Sequence, residues 1–372
     1  MRGLDETPAN GASGVWQRLV RFEGLAQVSA RRILDRLQSE GLTRQQDRAE
    51  LEAVADSFSV RLTEHVLHLS AGGDGVARQY VPDPRELLFA PEELDDPIAD
   101  EAHSPLPGIV HRYADRVLLT PTKACAVYCR FCFRREQVGA NGKGLTTEQL
   151  EAACRYIAGH PAIWEVVITG GDPLSMSARR IAELMARLSA IPHLEVIRFH
   201  SRMPVVEPEK IDAALLAALE TDKALFIAVH ANHADEFTPE VEAAIRRLTR
   251  AGIALVSQSV LLAGVNDSVE ALEKLMRAFV RNRIKPYYLH HLDLARGTGH
   301  FRVSLERGRQ IVDGLRGRVS GLCQPSFMLD IPGGHGKVPV GPSHLTALGD
   351  GAYEIRDPKG IIHLYRDPAG EG

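Results

Sequence analysis

Three cysteines fall at positions 125, 129 and 132 within "TPTKACAVYCRFCFRR" (120–135), with aromatic residues between them and arginines behind. Thiolates are soft donors suited to zinc or to iron–sulfur clusters. A four-iron cube has four corners, and Cys125, Cys129 and Cys132 supply three ligands. One iron is then left open and can bind a small molecule, which a fully ligated electron carrier cannot do. The plainer alternative is a zinc-stabilised binding module without catalysis, its metal completed by a distant histidine or by Cys154 or Cys323. Structural zinc sites usually use two pairs of cysteines, and the five cysteines of this chain offer no second pair. Cys154, in an amphipathic stretch, and Cys323, in "SGLCQPSF", read as small buried hydrophobes.

A second stretch with chemistry in it is "FMLDIPGGHGKVPVGP" (327–342). A phosphate-gripping loop needs G-x-x-x-x-G-K-[ST], and here Ile331 and Val338 break that pattern. What remains is Lys337 in a glycine-rich turn. Gly333, Gly334 and Gly336 let the backbone approach a flat ligand closely. A lysine in a pocket can lose its proton and condense with an aldehyde such as pyridoxal phosphate.

These residues need a frame. Short apolar runs recur at 116–121, 164–173, 194–202, 224–233, 253–262 and 284–293, with amphipathic segments such as "SARRIAELMARLSAI" and "SVEALEKLMRAFVRN" between them. Strand alternating with helix predicts βα units around a parallel sheet. Six units without a glycine-rich dinucleotide turn predict an incomplete α/β barrel, whose chemistry collects at the C-terminal strand ends. Polar residues gather there: Gly170-Gly171-Asp172, His200-Ser201-Arg202, His230 and Asn232, Gln258, and His290-His291-Asp293. Ahead of the barrel, "SARRILDRLQSEG" and "RAELEAVADSFSVRL" have helical periodicity, with Ser29 placed to cap the first. A connector rich in proline, glycine and acid follows them. The chain thus divides into a mobile polar tail (1–14), a helical segment with its connector (15–100), a barrel (101–330) and a C-terminal segment carrying the lysine (331–372).

C-x3-C-x2-C with an aromatic before the last cysteine, directly after the first strand of a βα repeat, resembles the radical S-adenosylmethionine (SAM) superfamily. Together with "DDPIADEAHSPLPGIVHRYADRVLL", "TGGDPL", "SRMPVV", "VHANHADE", "SQSVLLAGVND", "KPYYLHHLDLARGTGHFR" and "DIPGGHGKVPV", the loop resembles the lysine 2,3-aminomutase family from about Asp96 to Pro342. The resemblance implies a partial (β/α)6 TIM-like radical SAM barrel with a helical N-terminal segment. It implies a [4Fe–4S] cluster on Cys125, Cys129 and Cys132, with S-adenosylmethionine chelating the open iron. Gly170, Gly171 and Asp172 would meet the SAM amino group, with Gln258 facing the same cavity. Lys337 would carry pyridoxal phosphate. Arg112 and Arg116 are candidates for its phosphate or phenolic oxygen. Arg134 would pair with the substrate α-carboxylate, and Asp293 and Asp330 with the distal ammonium of lysine. The implied reaction is L-lysine to β-lysine by 1,2-amino migration, driven by an electron donor of flavodoxin or ferredoxin type, in a homo-oligomer. The chain lacks the C-terminal cysteines that free-lysine aminomutases use for zinc. In "GGDPL" and "YYLHHLD" it leans toward relatives that make β-lysine for elongation factor P, so lysine attached to that protein is the alternative substrate.

Composition narrows the rest. A net charge of −4 supplies no global field for nucleic acid or an anionic membrane. Neither a signal-peptide core nor a membrane-length apolar run is present, so the expected location is the cytoplasm.

Overall fold

The computed structural model describes residues 30–139 and 143–368. The tail, the first part of the helical segment (15–29) and the Ser29 cap lie outside them. Nine strands form one sheet in sequence order: β1 (Ile109–Tyr113), β2 (Arg116–Thr122), β3 (Glu165–Gly170), β4 (Val196–Ser201), β5 (Ala224–His230), β6 (Ala254–Val260), β7 (Lys285–His290), β8 (Ser326–Asp330) and β9 (Lys337–Pro339). β2 through β8 are parallel, while β1 and β9 pair antiparallel at the two edges. The edges do not meet, so the curled sheet is a half-barrel.

The six βα units expected from the sequence run from β2 to β7. Their helices are Thr147–Ala158, Ala178–Ser189, Ala213–Ala218, Pro239–Arg250, Val269–Arg281 and Leu305–Asp313. Each begins at a side chain that accepts a backbone N–H of the first turn: Thr146, Ser177, Asp212, Thr238, Ser268 and Ser304. Ile181, Leu184, Met185 and Leu188 show how one helical face is buried against the sheet. Strand interiors such as Val166, Val167 and Ile168 are buried because helices cover one side and the barrel interior fills the other.

Three elements go beyond that expectation. β8 is a seventh parallel strand without a helix after it. β9 turns back along it with Asp330 opposite Lys337. A separate antiparallel sheet, β10 (Leu345–Gly349), β11 (Ala352–Arg356) and β12 (Ile362–Arg366), ends the described chain.

The expected helices of the N-terminal segment are present over residues 30–39 and Arg48–Ser57. Their small core is Leu34, Leu37, Leu51 and Leu67. The connector has only short turns, yet it is tied to the barrel mouth. Leu94 N donates to Leu294 O at 2.7 Å, and the Gln79 carbonyl accepts from Arg130 N at 2.8 Å. Glu86 lies fully buried between Arg130 and Arg135. No helix among the described residues is long and apolar enough to cross a membrane.

Candidate active site

The cysteine loop leaves the C-terminal end of β2 and is braced from below by β3. Gly171 N donates to Thr122 O at 2.8 Å, and Asp172 N to Ala124 O at 2.9 Å. Gly171 has to be glycine: a Cβ there would stand 2.3 Å from the Ala124 carbonyl oxygen. The Asp172 carboxylate accepts from Leu174 N, Ser201 Oγ, Arg202 N and Met203 N at 2.7–3.2 Å, joining the ends of β3 and β4. Burial pushes this carboxyl up, and those four donors oppose the shift. Gly170–Asp172 therefore lie under the cysteine loop and not against the lysine.

Burial, then the charges of Asp172, Cys132 and Cys129, push the Cys125 thiol up. Burial and Cys129 push Cys132 up to about 11. Cys125 and Cys132 are thus poor anions by themselves, and such thiols become thiolates when they share cationic metal. The donor set thus fits an iron–sulfur cluster. The thiols do not converge on one point: among the described residues, no three His, Cys, Asp or Glu side chains form a one-ion site. A cube requires no such convergence, because each thiolate takes a different iron.

Beside this loop, inside the half-barrel, lies a cavity of about 410 Å3. Seven residues expected from the sequence line it: Arg112, Arg116, Arg134, Gln258, Asp293, Asp330 and Lys337. They come from β1, β2, the cysteine loop, β6, the β7 end, β8 and β9. Lys337 Nζ lies 3.1 Å from Asp330 Oδ1, and Lys337 N donates to Tyr113 Oη at 3.1 Å. Gly336 permits that approach, with φ +89° and no Cβ to crowd the Tyr113 hydroxyl. Asp330 Oδ2 also shares a hydrogen bond of 3.1 Å with His290 Nδ1.

The two acids are driven apart electrostatically. Burial would raise Asp330, but the His290 bond and the Lys337 charge hold it down at about 2. For Asp293, burial and the Asp330 charge outweigh the attraction of Lys337 and Arg134 and push it up to about 7.

Arg134 donates from Nε at 2.9 Å to Asp100 Oδ2, and its Nη2 lies 2.8 Å from the same oxygen in an ion pair. Arg112 Nη2 reaches Asp100 Oδ1 at 3.3 Å. Arg116 pairs with Asp115 at 2.7 Å and lies over the Tyr113 ring. Asp100 and Tyr113 were both missed as site residues by sequence reasoning. Tyr113 sits in "HRYADR" between two arginines already singled out, and that was the available signal. Asp100 had none, because it lies 34 positions before its partner Arg134.

His200, His230 and His290 line the same cavity. Burial and nearby cations hold all three below the ordinary histidine value, His230 down at about 3. They are neutral imidazoles. Their Nε2 atoms and Gln258 Oε1 are buried without a hydrogen-bond partner, which marks the cavity as built for a polar ligand. The lysine, the four lining arginines (Arg112, Arg116, Arg134 and Arg198) and these orphaned atoms fit a phosphorylated aldehyde and a nucleoside. His291 is different: it packs on Phe327 and lies outside the cavity. Cys323 is buried and Cys154 packs against the core, as small hydrophobes.

The comparisons with known proteins agree with this geometry. Residues 119–277 match the Radical SAM superfamily model, and residues 312–371 match the model described as Lysine-2,3-aminomutase. The L-lysine 2,3-aminomutase of Acetoanaerobium sticklandii is 40% identical over 84% of this chain and 76% of its own length. That of Clostridium subterminale is 37% identical over 88% of this chain and 79% of the relative. That of Fusobacterium nucleatum is 35% identical over 95% and 82%. Radical SAM enzymes work with a [4Fe–4S] cluster and S-adenosylmethionine, and aminomutases are isomerases. The chain belongs to the lysine 2,3-aminomutase family of radical SAM enzymes.

Proposed function

We propose that the chain converts L-lysine to β-lysine in the half-barrel cavity. The observation that carries this reading is one cavity whose lining includes Lys337, Arg134, Asp293 and Asp330. A substrate with a carboxylate at one end and an ammonium at the other matches that distribution. Two acids facing one ammonium disfavour a glutamate-type substrate, which would need a cation at 293 or 330.

The cluster with S-adenosylmethionine supplies a carbon radical able to abstract an unactivated hydrogen, and pyridoxal phosphate supplies the π bond that lets nitrogen move between carbons. The residues of the chain hold and orient. Cys125, Cys129 and Cys132 would bind three irons. Gly170, Gly171, Asp172 and Gln258 would border S-adenosylmethionine. Lys337 would hold the coenzyme, with Arg112 and Arg116 at its phosphate or phenolic oxygen. Arg134 presents its remaining fork edge to the α-carboxylate while Asp100 keeps the guanidinium in place. With Lys337 holding the coenzyme, Asp330 would be free to hold the substrate ammonium beside Asp293. Neutral His200, His230 and His290 keep the cavity polar without adding charge. The partners are a small amino acid and a one-electron donor of flavodoxin or ferredoxin type.

Anaerobic incubation of the reconstituted protein with S-adenosylmethionine, reductant and isotope-labelled lysine tests the reading, and labelled β-lysine is the expected product. A lysylated elongation factor P arm runs beside it. Product formed only in that arm replaces the free amino acid as substrate. Borohydride reduction with peptide mapping places the coenzyme, and absence of label on Lys337 removes the aminomutase assignment.

A further inference from the structure

Arg202 stands just beyond β4 and does not line the lysine cavity. Its Nη1 donates to Cys129 Sγ at 3.2 Å. Nη2 donates to Glu236 Oε2 at 2.6 Å and to Gln79 Oε1 at 2.8 Å. The guanidinium lies against the rings of Tyr80 and Phe131. Gln79 and Glu236 are completely buried, Arg202 is buried, and Cys129 is partly so. Glu236 is itself pinned by the backbone N–H groups of Asn232 and His233. Arg202 is fixed at its other end too, because its own N–H is held by Asp172. The result is a cation that can neither swing away nor be screened by water, with one N–H aimed at a sulfur.

A staple between β4 and the loop after β5 needs the Arg202–Glu236 pair but has no use for the contact to sulfur. We propose that Arg202, acting through Cys129 and balanced by Glu236, sets the reduction potential of the cluster. The proposal rests on the reading that Cys129 binds iron. Reduction adds one electron from the external donor to the cluster and moves no proton. A charged N–H···S bond draws density from the thiolate and stabilises the added electron, raising the potential. Glu236 opposes that effect. In a low-dielectric setting both charges act strongly on the cluster.

The test is a redox titration of the anaerobically reconstituted protein followed by electron paramagnetic resonance, at matched iron content. Glu236→Gln removes the opposing charge and keeps Arg202, so the potential should rise. The expected size is at least tenfold in the reduction equilibrium, about 59 mV for one electron. In Arg202→Lys the single ammonium is drawn to Glu236 and leaves the sulfur, so the potential should fall by a similar factor. Unchanged potentials in both variants overturn the proposal. If Arg202→Lys does not fold, Glu236→Gln decides alone, upward for the proposal and unmoved or downward against it. A parallel Cys129→Ser sample separates the two claims. Full iron there removes the ligand assignment underneath, whereas iron loss there with unmoved potentials removes only the role of Arg202.

Discussion

Asp330 closes the last parallel strand and Lys337 opens the antiparallel strand beside it, so the two residues face each other in register with Nζ 3.1 Å from Oδ1. The turn between them is built from glycines at positive φ, Gly333, Gly334 and Gly336. On the proposed reading, Asp330 would exchange the Lys337 ammonium it holds here for that of the substrate. Asp330→Asn should raise KM for lysine about tenfold or more, the worth of one charged hydrogen bond. Coenzyme reduced onto Lys337 should stay within about twofold. Equal losses of both would show that Asp330 serves only the coenzyme.

The upward-shifted Asp293 gives a pH dependence with a definite sign. In the empty cavity it is protonated below about pH 7. A cationic substrate favours its ionised form, so binding in that range releases a proton. KM for lysine should therefore rise roughly tenfold between pH 8 and pH 6, with the dependence lost in Asp293→Asn. A parent profile that is flat across this range would show that Asp293 does not meet the ammonium.

Asp100 holds two arginines from outside the barrel wall. With Asp100→Asn the Arg134 guanidinium keeps its charge but loses its orientation. Steady-state kinetics should show KM for lysine raised about tenfold with a smaller change in kcat. An unaltered KM would reduce Asp100 to a tether for the connector.

Gly171→Ala tests how the cluster loop is positioned. The new methyl would collide with the Ala124 carbonyl oxygen, and backbone cannot yield there without moving the loop. Iron bound after reconstitution should drop well below the parent value while circular dichroism stays native. Full iron loading would mean that the loop tolerates the displacement.

Glu86 carries the opposite charge for two buried arginines, Arg130 and Arg135. Glu86→Gln leaves those cations uncompensated and should cost about 3–5 kcal/mol, read as a shift in the urea unfolding midpoint. A shift under about 1 kcal/mol would mean that water reaches the arginines once the charge is gone.

Much of the barrel was legible because its signals are local. Six apolar runs, evenly spaced after the first and each followed by an amphipathic stretch, specify βα units wherever the chain is read, and the capping residues mark the helix starts. Cys125, Cys129 and Cys132 were legible for the same reason, since one loop contains all three. β8 and β9 were not. "SFMLD" is a single short apolar run without a helix after it, and only its pairing with β7 makes it a strand. The union of Lys337, Asp330, Asp293 and Arg134 into one cavity depended on how far the sheet curls. So did the Arg134–Asp100 and Arg202–Cys129 contacts, which join residues 34 and 73 positions apart. Sequence by itself determined which chemical groups the protein owns and which strands and helices carry them, because propensity and periodicity act over a few residues. Tertiary structure alone decided which of those groups share a dry space and what charge each one keeps there, because burial and Coulomb interactions depend on distance through space and not along the chain.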